Sequence, residues 1–268
     1  MTETELRDER INSLLHYMKG AEKFSMTFST LTKGWRQWCP FTHKKISVDT
    51  ECYHRNPSVQ SLLLFCERYL ACCRYLDVHP YVVSETENIL NDLRVPERMK
   101  YIEEFADLIK RLKNNIDIIE PDVTAKLKRF TCLECQRLDE AIVSIRNYCF
   151  YSSIVMAVSS VEARIAQLIR HKNRKIFEKH FAKATLGQLI QVFDDKHYTD
   201  PSFGALKKLI SAKHKPLLEL LNHYRVFSAH PMKERVTAQI AEAILKLSFT
   251  FMIDPNTCIY TSKELQCK

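Results

Sequence analysis

Along most of the chain, apolar positions recur at three- and four-residue intervals, the period of helices with one buried face. Residues 4–19 carry Leu6, Ile11, Leu14, Leu15 and Met18 in such a stripe, with Gly20 as a plausible stop. From Lys23 to Pro57 the period disappears, and Thr, Ser, Trp and Phe take over in a stretch expected to be irregular. The helical period resumes over Ser58–Leu76, where Leu62, Leu63, Phe65, Cys66, Tyr69 and Leu70 leave little polar face. A helix apolar nearly all round belongs near the centre of its domain. Pro80 opens another helix through Val83 and Ile89 to Leu93. Pro96 opens a third, with Tyr101, Ile102, Phe105, Leu108, Ile109 and Leu112 on one side. Asn114-Asn115 and then Glu120-Pro121-Asp122 break the pattern, which predicts a boundary near residue 121.

Beyond that boundary the pattern predicts helices over Asp122 to about Tyr148, Ser153–Ile169, Thr185–Phe193 and Phe203–Lys213. Two more follow, one opened by Pro216 and one from Glu234 to Met252. With only 4 Gly and 9 Pro, there are few of the tight turns an all-β fold needs. The expected architecture is therefore an all-α helical bundle in two parts, 1–121 and 122–268. No internal repeat or low-complexity tract interrupts it.

The formal charge of +8 is concentrated. Residues 150–235 hold 15 Lys and Arg against 7 Asp and Glu, together with six of the ten histidines. Such a local excess is the footprint of a polyanion binder, although a solvated basic face has the same composition. The candidate contacts are Arg170, Lys172, Arg174, Lys175, Lys207, Lys208, Lys213 and Lys215. The run from Arg170 to Lys175 also suits the negative end of a helix without any ligand.

Ten cysteines could suggest a disulfide set. The charged N-terminus lacks a signal-peptide core, and Cys66, Cys72 and Cys149 fall in apolar helical patterns. Reduced thiols in a cytoplasmic protein are expected. No apolar run approaches the ~20 residues that span a bilayer. Cys39, His43, Cys52 and His54 are possible metal ligands, but their spacing is irregular for zinc. Cys132-x2-Cys135 lacks a second pair, which favours packing thiols. No metal or other cofactor is expected. The glycines stand singly at 20, 34, 187 and 204, with no phosphate-cradling loop, no Gly-x-Ser-x-Gly and no His-Glu-x-x-His.

Arg225 and His230, separated by four residues, close the apolar run Leu217, Leu218, Leu220, Leu221, Tyr224. Pro231 disfavours helix at His230, so the helix should end near Ser228 or Ala229. In an unbroken helix, five steps of about 100° would put the two side chains on different faces. They converge only if the helix stops between them or if a second copy supplies the other half.

This Arg-x4-His pattern, followed by Pro, resembles the signature of the HEPN superfamily of all-helical RNA-processing and toxin domains. The likeness continues upstream in the small and apolar helix Ser153-Ile-Val-Met-Ala-Val-Ser-Ser-Val-Glu-Ala-Arg-Ile-Ala-Gln-Leu-Ile169, and it covers roughly residues 122–253. The resemblance implies a metal-independent endoribonuclease in a toxin or antiviral-defence setting. It further implies an HEPN-type homodimer and leaves room for a protein partner, such as an antitoxin or another effector subunit. Arg225 and His230 would be catalytic. Glu162 would orient Arg225 through an ion pair, or else be an exposed helix charge. His223 and Ser228 are supporting candidates.

In active members the residue after the arginine is usually polar; here it is Val226. That substitution favours the alternative of a non-catalytic module that dimerises, docks a partner or binds RNA. Locally, Arg225 could also serve terminal carbonyls, and His230 could cap or pack.

Overall fold

The structure, a computed structural model, describes residues 57–99, 102–194, 196–230 and 235–258. The expected helix at 4–19, the irregular 23–57 stretch except Pro57, which opens a helix, and the Cys39, His43, Cys52, His54 set lie outside the described residues. Every regular element among the described residues is helical. The chain divides into two compact units between Ala125 and Lys126.

In the first unit, α1 (Pro57–Leu76) packs against α2 (Pro80–Arg94), and α3 (Ile102–Leu127) begins after a single 3-10 turn at Pro96–Arg98. Pro96 therefore opens that turn rather than the helix itself. Asp77 and His79 adopt left-handed backbone angles in the tight link between α1 and α2. Pro80, at the first position of α2, supplies a pre-set φ where its missing N–H is not needed. Leu62, Cys66, Leu70 and Cys73 are buried along α1, while Leu64 is exposed, so the helix does keep one outer face.

Helix α3 runs straight through Pro121, where the sequence pattern predicts a break. A proline inside a helix removes one hydrogen bond and costs about 3 kcal/mol. The buried stripe Ile116, Ile119, Val123 and Leu127 crosses it and outweighs that cost. The expected helix from Asp122 to Tyr148 is accordingly two elements. The end of α3 is followed by a turn at residues 128–131, and then α4 (Cys132–Arg146). Thr131 starts α4 with a capping box: its N–H donates to Glu134 Oε2 at 2.7 Å, and Glu134 N–H donates to Thr131 Oγ1 at 3.3 Å.

The second unit is built on α5 (Phe150–Lys172), which packs against α4, α6 (Leu186–Gln191), α7 (His214–Ala229) and α8 (Ala238–Ile253). Ile154, Ala157, Val158, Val161, Ile165 and Leu168 form its buried stripe. Its most apolar 18-residue window has a mean hydropathy of 1.2, long and apolar enough to cross a membrane, but 56% of that window is buried inside the unit. A core helix enclosed on several sides acquires the same composition. The expected helix over Phe203–Lys213 is only a 3-10 turn at Pro201–Phe203 and one α turn at Gly204–Lys207. Helix α8 starts at Ala238, capped by Thr237, after an extended stretch.

One buried ion pair joins these helices. Arg164 and Glu134 are both fully buried, and the guanidinium meets the carboxylate twice, Nε to Oε1 and Nη2 to Oε2, each at 2.7 Å. Nη2 also donates to the Arg129 carbonyl at 2.8 Å. Nη1 donates to the carbonyls of Thr257 at 2.9 Å and Met252 at 3.3 Å. All five donors are used. Burial works against the charge, but Glu134 outweighs it and holds the guanidinium above its ordinary value.

Thiol environments vary widely. Burial pushes the Cys66 thiol up to about 12 and raises Cys73 as well. Cys135 is half-buried in the first turn of α4. Cys149, expected within an apolar helical pattern, is instead exposed in the turn before α5. Only the thiolate reacts, so a water-soluble disulfide reagent should label Cys149 well before Cys66 or Cys73 in native protein. Peptide mapping after brief labelling reads the order, and early modification of Cys66 would contradict this core.

Candidate functional site

Helix α7 carries the candidate site and ends at Ala229, as Pro231 predicts; His230 follows with extended angles, φ −120 and ψ 140. Arg225 is half-buried in the last turns of α7, while His230 is exposed, its ring without a hydrogen bond or ion pair to any described residue. The helix thus stops between them, and only Arg225 is built into the unit.

Glu162 of α5 lies across from Arg225. Its Oε2 is 3.8 Å from Arg225 Nη1 and accepts the Leu186 N–H, the first of α6, at 2.7 Å. Of the two alternatives for Glu162, a role against Arg225 therefore matches the geometry. The carboxylate is anchored by a backbone donor, and the arginine is tethered through one long contact. Side-chain exposure of 24% leaves part of the Arg225 side chain open to solvent, although its Nε is buried.

Arg225 Nε, Asn222 Oδ1 and Ser228 Oγ are buried without a hydrogen-bond partner among the described residues. Residues 222, 225 and 228 stand three apart, on one side of α7. Each such orphan costs roughly 1–3 kcal/mol in a protein interior. Sequence reasoning named Ser228 but missed Asn222, whose spacing from Arg225 was the available signal. Asn222 also borders an open groove of about 220 Å³ with Gly187, Gln191, Asp194, Lys215 and Glu219. A Cβ at Gly187 would stand 3.2 Å from Asn222 Nδ2, so the missing side chain lets α6 approach α7 closely.

Compared with known protein families, curated proteins and solved structures, the chain matches none.

The other sequence candidates are dispersed. His223 is exposed, its ring edge-on to Tyr224 at 5.6 Å. Arg170, Lys172 and Lys175 are exposed around the end of α5 and the short turn after it, and Lys208 is exposed beyond Gly204–Lys207, where Lys207 is half-buried. Three of the predicted phosphate contacts already have acidic neighbours. Arg174 pairs with Glu178 at 2.7 Å, Lys213 with Asp254 at 2.8 Å, and Lys215 lies 3.6 Å from Asp194.

Asp254 closes a small network at the start of α7. His214, buried, holds Ser211 Oγ at 3.1 Å on Nδ1 and Asp254 Oδ2 at 3.0 Å on Nε2. Burial alone would raise the Asp254 carboxyl. Bonds from Lys213, the Asn256 N–H and His214 overcome it and hold the group well below the usual carboxylate range. A depressed folded-state value contributes stability above the unfolded value of ~3.9, and that contribution fades as pH falls below it. Asp254→Asn should therefore lower the melting temperature at pH 6, with the gap to wild type narrowing steadily as pH falls below about 4 towards the depressed folded-state value. A gap independent of pH would remove Asp254 from this role.

Proposed function

We propose that the second unit binds RNA and cleaves it without a metal ion, with Arg225 and His230 as the reacting pair. The observation that carries this reading is the Glu162–Arg225 arrangement: an anchored carboxylate faces a half-buried arginine five residues before an exposed histidine. The basic excess around residues 150–235 supports a polyanionic substrate.

The chemistry needs little beyond these groups. The RNA's own 2′-hydroxyl attacks the adjacent phosphorus while the 5′-oxygen leaves, giving a 2′,3′-cyclic phosphate. A base removes the 2′ proton, and an acid protonates the leaving oxygen. Histidine, with an unperturbed value of ~6.5, serves in either role near neutrality. The Arg225 fork would stabilise charge developing on the phosphoryl oxygens. One histidine per chain supplies one of the two proton roles, so the reading requires two copies facing each other across a dimer axis.

A second reading keeps the RNA surface and drops the cleavage. Val226, next to Arg225, is 39% exposed and apolar where a polar group would assist the reaction. Incubating the protein with end-labelled RNA in excess chelator separates the two. Cyclic-phosphate products support the nuclease, whereas binding without products supports the second reading.

A further inference from the structure

We infer that the turn of π-helix at Phe177–Phe181 and the segment 196–203 form a stacking platform for single-stranded nucleic acid. The inference rests on the reading above only in taking that nucleic acid to be RNA. Four rings meet here from two stretches of chain. Phe181 and Phe203 are buried and edge-on to each other at 6.2 Å, making the floor. Tyr198 lies tilted on that floor, 4.9 Å from Phe203 and 5.3 Å from Phe181. His180 stands edge-on to Phe203 at 5.5 Å. The two outer rings face solvent, His180 exposed and Tyr198 half-buried. Tyr198 takes a left-handed φ of 51, which a bulky residue adopts at a cost.

The charge around these rings fits a phosphate backbone. Residues 170–208 hold 9 Lys and Arg against 4 Asp and Glu, and Lys172, Lys175, Lys179, Lys183 and Lys196 are all exposed. The acidic groups are largely engaged. Glu178 pairs with Arg174, and Asp194 lies near Lys215 and accepts the Lys196 N–H. Asp200 accepts the Ser202 N–H at 2.8 Å, with Lys179 and His180 close enough to favour its charge further. Backed rings that reach solvent, set among exposed lysines, match how single strands are bound. Bases stack on the rings, and cations follow the phosphates. A duplex hides its base faces and can use only the charge.

The test compares full-length protein with His180→Ala, Tyr198→Leu and Tyr198→Phe, using a short labelled single-stranded RNA, its DNA counterpart and a duplex RNA of equal length. Wild type should prefer the single strand. His180→Ala and Tyr198→Leu should each weaken that binding by roughly fivefold to a hundredfold, leaving duplex binding and the salt dependence unchanged. Tyr198→Phe should bind like wild type, which separates stacking from any folding defect. DNA bound as tightly as RNA supports the platform, because stacking does not read the 2′-hydroxyl. Tighter binding of duplex, or full single-strand affinity in both ring-removing variants, would overturn the inference while leaving the nuclease reading intact. Absence of RNA binding altogether overturns both. Loss of binding in the ring variants of a protein that never cleaves RNA supports the platform and sinks only the nuclease.

Discussion

Arg164→Met should destabilise the second unit by about 3–5 kcal/mol, the usual cost of removing one partner of a buried ion pair. Ordinary domain stabilities are about 5–15 kcal/mol, so at the lower end of that range such a loss leaves the unit barely folded or unfolded. Glu134 would remain in the interior with its carboxylate facing no cation, supported only by the Thr131 N–H. The carbonyls of Arg129, Met252 and Thr257 would each lose the guanidinium donor as well. These carbonyls belong to segments flanking α4 and ending α8, so the lesion spreads across the unit rather than staying on α5. Arg164→Lys should fall between, because a point charge with three donors cannot fill five positions. The double substitution Arg164→Met with Glu134→Gln should recover part of the loss, as no lone charge is then buried, but not the part owed to the carbonyls. Urea unfolding of wild type, these three variants and Glu134→Gln alone measures these differences. Additive effects of the two single changes would mean that the pair is not coupled.

How far the sequence foretells this arrangement depends on whether a feature is local. The end of α7 at Ala229 is readable because Pro216 and Pro231 act within a few residues of where they stand. The passage of α3 through Pro121 is not, since a local helix breaker was overridden by burial of Ile119 and Val123 in the tertiary fold. Arg164 left a trace that went unread. It falls on the same face as Ala157, Val161 and Leu168, and a charge in an apolar stripe implies a buried partner somewhere in the fold. Which partner, thirty residues earlier, no local pattern can give. Glu162 was named through the family resemblance, while its anchoring by the Leu186 N–H depends on how α6 meets α5. The rings around Phe181 went unread for a similar reason: Tyr198 lies between the expected helices and Phe203 was read only as the start of one, so no local pattern showed that they meet Phe181.

His230→Ala should abolish RNA cleavage, by about a hundredfold to ten-thousandfold, while RNA binding stays close to wild type. In the proposed reaction the ring contributes proton transfer, and its exposure beyond the end of α7 leaves the fold little dependent on it. Arg225→Ala should differ in kind. It removes a charge that acts on the phosphate before and during the reaction, so cleavage falls and binding weakens modestly. It also strands Glu162 without its cation, although the Leu186 N–H keeps that carboxylate bonded, so the folding penalty should be small. Single-turnover rates with saturating RNA separate the two effects. If acid and base come from opposite chains, a dimer of one wild-type and one Arg225→Ala, His230→Ala subunit should be nearly inactive. Half the wild-type rate in that dimer would show that each chain carries an independent site. Binding at wild-type strength with no cleavage in any preparation would leave Val226 as the telling residue: an apolar side chain beside the arginine of a surface that holds RNA without cutting it.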